Sequence, residues 1–131
     1  MVAFPKELLL NPAAAPPASP RRILVVDDDL LVLRSMTKAL QRAGYSVHPA
    51  TNVEEAMAVA LDTRVDAAIV DYTLSYETGL TILSKLRQLQ PHCVRILCTG
   101  RTELPVFVEA VNAGEVARVV RKPFQLDILL R

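Results

Sequence analysis

A chain of 131 residues, 51% hydrophobic and with a formal net charge of +1, is long enough for one domain with a real core. That charge balance excludes a strongly basic nucleic-acid-binding surface and an acidic disordered tail. No apolar run approaches a membrane span, and the N-terminus shows no basic region followed by a long apolar stretch, so neither an anchor nor a signal peptide is expected.

Residues 1–20 stand apart by composition. A short apolar cluster (Phe4, Leu8, Leu9, Leu10) precedes Pro12, Pro16, Pro17 and Pro20. Prolines at that density forbid a regular helix and favour an extended tether. A leader without a packed fold, or a tether whose Leu8–Leu10 docks on a neighbour, both satisfy this pattern. From Arg22 the chain alternates. Ile23 to Val26 reads as a short buried strand. Leu30 to Ala43 reads as a helix, with Leu33, Met36 and Leu40 on one face and Gly44 as the stop. Ser46 to His48 is a second strand, and Thr51-Asn52-Val53-Glu54 is a capping-box pattern opening a helix to about Leu61. Val65 to Val70 is a nearly continuous apolar run, a strand expected to be buried on both faces and to end on Asp71. Gly79 to Gln90 is helical, with Leu80, Leu83 and Leu86 on one face and Pro91 ending it. Val94 to Cys98 is a fourth strand, Glu103 to Ala113 a helix with Pro105 in its first turn, and Val116 to Arg121 a fifth strand. A last helix begins at Gln125 and stops at Arg131, short for its place, which suggests a fragment of a longer protein. Cys93 and Cys98 fit no zinc spacing and are too close for a typical staple, so reduced, packed thiols and a cytoplasmic setting are expected.

Strands alternating with helices mean a parallel sheet covered on both faces. Ligands of such sheets bind beyond the carboxyl ends of the strands, where the strand order reverses. The residues at those ends are Asp27-Asp28-Asp29, Asp71, Thr99-Gly100 and Lys122-Pro123-Phe124. Converging carboxylates repel one another, and a hard divalent cation with oxygen ligands relieves that repulsion. Magnesium fits best, because it takes one or two carboxylates and leaves room for water and phosphate oxygens. Lys122 adds a compact positive charge and Thr99 a hydroxyl donor. Together these parts can place a phosphoryl group on Asp71: the carboxylate attacks, and the metal and Lys122 absorb charge on the equatorial oxygens. Each part also has a plain role. The three aspartates can cap the first helix, Thr99-Gly100 can be a turn, and Lys122 can be a solvated lysine. Their occurrence together at successive strand ends is the more specific signal.

From about Arg21 to the end, the chain resembles the receiver domain of two-component response regulators. Ile23-Leu-Val-Val-Asp27-Asp28-Asp29 is similar to the family's acidic-pair strand, and Asp71-Tyr-Thr-Leu-Ser-Tyr-Glu-Thr-Gly79 to its phosphoacceptor loop. Thr99-Gly100 and Lys122-Pro123-Phe124 resemble its switch threonine and lysine-proline motif. The resemblance implies a flavodoxin-like α/β fold, a doubly wound sandwich whose five-stranded parallel sheet has the order 2-1-3-4-5, over residues 21–131. It implies that Asp71 is the phosphoacceptor, that Asp28 binds magnesium directly and Asp27 mainly through water, and that the backbone carbonyl of Thr73 is a further ligand. Thr99 is then expected to bond the phosphoryl group and move with it, and Lys122 to pair with a phosphoryl oxygen or with unmodified Asp71. A sensor histidine kinase or a phosphotransfer protein would be the donor. The output would be a changed surface on the fourth helix, fifth strand and fifth helix, a face that also suits a homodimer. Neither nucleic acid nor membrane is an expected direct partner, and any output enzyme would lie outside this chain. Residues Val111 to Arg118 are similar to those of receivers that head cyclic-di-GMP phosphodiesterases of the HD-GYP type, and of some in hybrid kinases.

Three positions depart from the family's pattern. Ser75 stands where proline is usual, which implies a less rigid loop after Asp71. Val119 replaces the usual rotamer-switching aromatic, and Arg101 occupies a position that tends to tune dephosphorylation. Other classes fit less well. A phosphatase of the haloacid dehalogenase type needs a second acid that Asp71-Tyr72-Thr73 lacks, and Leu31 is wrong for its motif at Asp27. Flavin binding on this fold needs a phosphate loop where three aspartates would repel phosphate. An unphosphorylated interaction module is disfavoured by the intact acid set and kept open by Val119.

Overall fold

The computed structural model describes residues 20–99 and strand Arg118–Arg121. In chain order the elements are β1 (Arg22–Val26), α1 (Leu30–Arg42), β2 (Ser46–Ala50), α2 (Val53–Asp62), β3 (Ala67–Asp71), α3 (Gly79–Leu89), β4 (Val94–Thr99) and β5 (Arg118–Arg121). Residues 1–19 of the tether expected over 1–20, the helices expected at Glu103 to Ala113 and from Gln125, and Gly100, Arg101, Lys122, Pro123 and Phe124 lie outside the described residues.

The strands form one five-stranded sheet in the order β2-β1-β3-β4-β5, with every pairing parallel. Side chains alternate across it, because successive residues of a strand point to opposite faces. Ile23, Val25, Ala67, Ile69, Ile96 and Cys98 join Leu33, Met36 and Leu40 of α1 in one core. Leu24, Val26, Ala68, Val70 and Leu97 join α2 and α3 in the other. Burial on both faces is the reason β1 and β3 read as unbroken apolar runs. In α1 the expected stripe of Leu33, Met36 and Leu40 is the buried one. In α3 the buried stripe is Ile82, Leu83 and Leu86, with Leu80 half-buried beside it.

Several local expectations shift. The α2 cap sits one residue later than the Thr51/Glu54 pattern. Asn52 is the N-cap, its Oδ1 accepting from Glu55 N–H at 2.9 Å, while Glu55 Oε1 accepts from the Thr51 N–H and hydroxyl, both at 2.6 Å. The two overlapping x-x-Glu spacings, Thr51/Glu54 and Asn52/Glu55, are nearly equivalent as sequence. In the register adopted, Val53 opens the helix and packs into the core, 8% exposed. β2 runs on through Pro49 to Ala50 rather than stopping at His48. As an edge strand it tolerates a residue without an N–H. β3 begins at Ala67, two residues later than expected, and its last residue is Asp71 itself. No helix among the described residues is long and apolar enough to cross a membrane. Both cysteines are buried and free, and burial pushes the Cys93 thiol up to about 12.

Candidate functional site

Strand order reverses between β1 and β3, which run side by side although two helices and a strand separate them in sequence. Beyond β1 the chain turns to α1 on one face of the sheet and beyond β3 to α3 on the other, so a crevice opens beyond the carboxyl ends of the pair. Val26 is in register with Val70, which sets Asp27 beside Asp71 at the same level. Asp27, Asp28 and Asp71 each bring a carboxylate oxygen there, and these oxygens all lie within 4.8 Å of one another.

The three consecutive aspartates divide their work. Asp29 is the cap of α1, with Oδ1 accepting from Leu31 N–H at 3.0 Å and Val32 N–H at 3.4 Å. Asp27 is buried and points inward, its Oδ1 held by the Asp29 N–H at 2.9 Å. Asp28 is exposed, and its Oδ2 accepts from the Ser75 hydroxyl at 2.6 Å. Capping therefore accounts for one aspartate of the three. Asp27 and Asp71 are 2% and 8% exposed. At an effective dielectric of about 20, two such ionised groups at this separation repel by about 3 kcal/mol. A site that gathers this repulsion from both strand ends and leaves Asp28 open to solvent suits a hard cation, and the oxygen-only donor set suits magnesium or calcium rather than a soft metal.

The loop after Asp71 is tied at several points. Gly79 N–H donates to the Tyr72 carbonyl at 2.7 Å, Leu74 N–H donates to the Glu77 carbonyl at 3.2 Å, and Thr73 bridges to Thr78. Leu74 is buried in the α2/α3 core. The Ser75–Asp28 bond ties the loop at one further point. Thr73 is exposed on this loop, two residues after Asp71. Asp28 and Ser75 also line a cleft of about 550 Å³, together with Val53 and Leu74. Thr99 ends β4 fully buried, one step beyond Cys98, the register partner of Asp71. The fold therefore brings Asp27, Asp28, Asp71, Thr73 and Thr99 to one edge. Lys122 directly follows β5, whose Arg121 is in register with Thr99, and itself lies outside the described residues.

A model of the response regulator receiver domain matches residues 23–131. The chain belongs to the response regulator receiver family. Its function is accordingly that of a receiver domain in two-component signalling. Over 107 residues this receiver is 31% identical to a cyclic di-GMP phosphodiesterase of Thermotoga maritima, a match covering 82% of this chain and 28% of that protein. Among solved structures it is similar to a CheY-like receiver domain protein of Methanospirillum hungatei, with 33% identity, a TM-score of 0.78, and coverage of 86% of this chain and 89% of that one. It is also similar to a response regulator of Burkholderia pseudomallei solved with a phosphorylated aspartic acid and a calcium ion. That likeness has 29% identity and a TM-score of 0.76, covering 84% of this chain and 64% of that one. Its matches span between 28% and 51% of the length of the first curated relatives.

The Ser75 contact is the part of the receiver's site that reading the residues missed. Its signal was present as a hydroxyl in a loop facing an acid pair, but only the fold shows that positions 47 residues apart meet.

Proposed function

We propose that this domain accepts a phosphoryl group on Asp71 from a phosphohistidine of a sensor kinase or phosphotransfer protein. The convergence of Asp27, Asp28 and Asp71 at the strand-order reversal carries the reading. The phosphorylated aspartic acid and calcium ion of the Burkholderia relative support it. A carboxylate oxygen of Asp71 forms the new O–P bond as the P–N bond breaks, and the electron pair of that bond stays on the departing imidazole. Burial in the crevice holds Asp71 in one orientation for in-line attack. Asp27, Asp28, Asp71 and the Thr73 carbonyl would hold magnesium, which supplies charge neutralisation at the phosphoryl oxygens. The Thr99 hydroxyl donates to a phosphoryl oxygen, and Lys122 adds positive charge on the opposite side.

In this reading residues 1–20 are a tether and residues 21–131 the receiver, working in the cytoplasm. The face formed by the fourth helix, β5 and the fifth helix carries the output or a homodimer contact. Any enzymatic output, such as the phosphodiesterase activity named for the Thermotoga relative, belongs to a segment outside this chain. Incubation with acetyl phosphate and magnesium tests the site: intact-mass spectrometry should show one added phosphoryl group, absent without magnesium and absent in Asp71→Asn. A phosphoryl group on Ser75 or Thr73 instead would overturn the assignment.

A further inference from the structure

The strands and the α1 cap hold two of the three acids, and they leave the third to a loop. Asp71 is the last residue of β3, and Asp27 is fixed by the Asp29 N–H. Asp28 is exposed, and among the described residues its carboxylate has one hydrogen-bond donor, the Ser75 hydroxyl at 2.6 Å. An exposed aspartate without such a partner samples its rotamers in water, and each orientation away from the site has to be given up when a cation binds.

Ser75 is well placed to prevent that. Its backbone belongs to the loop closed by Gly79 and Tyr72, by Leu74 and Glu77, and by the Thr73–Thr78 bridge, with Leu74 seated in the core. The hydroxyl is therefore carried on an anchored backbone, with only its χ1 rotation left to settle. It occupies one lone pair of Oδ2 and leaves Oδ1 and the remaining lone pair for a cation.

We infer that Ser75 is a positioning residue for the metal: it holds the Asp28 carboxylate toward Asp27 and Asp71, so that the cation meets a set of ligands already in place. Groups one step behind a metal ligand commonly orient it and raise affinity in this way. The inference rests on the reading of this edge as a magnesium-dependent phosphoacceptor site. Ser75 touches neither the phosphoryl group nor the metal, so its removal should act on metal affinity and spare the chemical step.

Three proteins test it: the natural sequence, Ser75→Ala and Ser75→Thr. Titration with magnesium chloride, followed through amide shifts of residues 72–78, should show Kd raised by roughly tenfold or more in Ser75→Ala. Ser75→Thr, which keeps the hydroxyl, should bind within about twofold of the natural sequence, a margin small beside the loss expected on removing it. With acetyl phosphate, Ser75→Ala should need more magnesium for half-maximal phosphorylation and reach the same rate at saturation. An unchanged or tighter Kd in Ser75→Ala, a lower saturating rate at unchanged Kd, or failure of threonine to restore affinity would each overturn the role. The underlying function fails on a different result, the natural sequence taking up no phosphoryl group on Asp71 at saturating magnesium.

Discussion

The α-carbon of Gly79 lies so close to Asp71 that a methyl group there would fall onto the Asp71 carbonyl oxygen and 2.8 Å from Val70 Cγ1. Backbone is the obstacle, so no side-chain rotation relieves the overlap. Gly79→Ala should therefore destabilise the domain by about 2 kcal/mol, the scale of overpacking in a close-packed site. It should also displace the loop that starts at Asp71 and weaken magnesium binding. Urea unfolding and a magnesium titration check the two effects.

The split among Asp27, Asp28 and Asp29 predicts opposite signatures for neighbouring substitutions. Asp29→Ala removes the cap of α1 and should lower stability by about 1 kcal/mol with little change in metal affinity. Asp28→Asn removes one of the three repelling charges. It should leave the metal-free protein at least as stable as the natural one and abolish the stabilisation that added magnesium gives. Melting temperatures of both variants, with and without magnesium, distinguish capping from coordination.

Gln90 ties three elements together from a buried position. Its amide donates to the carbonyls of Ala60 at 2.7 Å and Thr63 at 2.8 Å, and its oxygen accepts from Val65 N–H at 2.7 Å. Gln90→Leu would leave those backbone groups buried without partners, a loss of about 3 kcal/mol. The site lies at the other end of β3, so the folded variant should bind magnesium as the natural protein does. Chemical denaturation read alongside the titration tests both statements.

Cys93 carries an alkaline signature. Its folded thiol is raised from an ordinary 9.0 to about 12 by burial, so the unfolded chain gives up its proton first. The stability it contributes is complete below about pH 9 and is lost as pH rises from there toward 12. Cys93→Ala should flatten that decline relative to the natural sequence. Thiol alkylation at pH 9 should be slow in the folded protein and fast in urea.

The elements at this edge were legible because strands buried on both faces are unbroken apolar runs, and each such run stops at its first acid or hydroxyl. Asp27, Asp71 and Thr99 could be placed at one edge from that alone. What is less legible depends on geometry across the fold. The choice of Asn52 over Thr51 as cap separates two nearly equivalent spacings, and Val53 is buried in the one adopted. Gln90 looks like an ordinary polar residue at a helix end until three backbone groups are found around it. Ser75 meets Asp28 only because β1 and β3 are neighbours. For Lys122 the sequence places the residue after β5, and for Val119 the register gives a partner, Leu97. The roles of both side chains rest on the family resemblance.

The N–H groups of β2 that bond inward belong to even-numbered residues. Ser46 N–H donates to the Arg21 carbonyl at 2.9 Å, and the Asp27 N–H reaches the Ala50 carbonyl at 3.2 Å, which fixes the phase of the ladder. Pro49 therefore falls on the outward phase, where a growing sheet would need a donor and proline has none. An incoming strand would meet a gap at the fourth residue of a five-residue edge. The sheet is blunted on this side against adding a sixth strand, whether from a second copy or from a misfolded neighbour. Among the described residues the outer flank of β2 carries no further strand, and a single ring there disfavours edge-to-edge pairing.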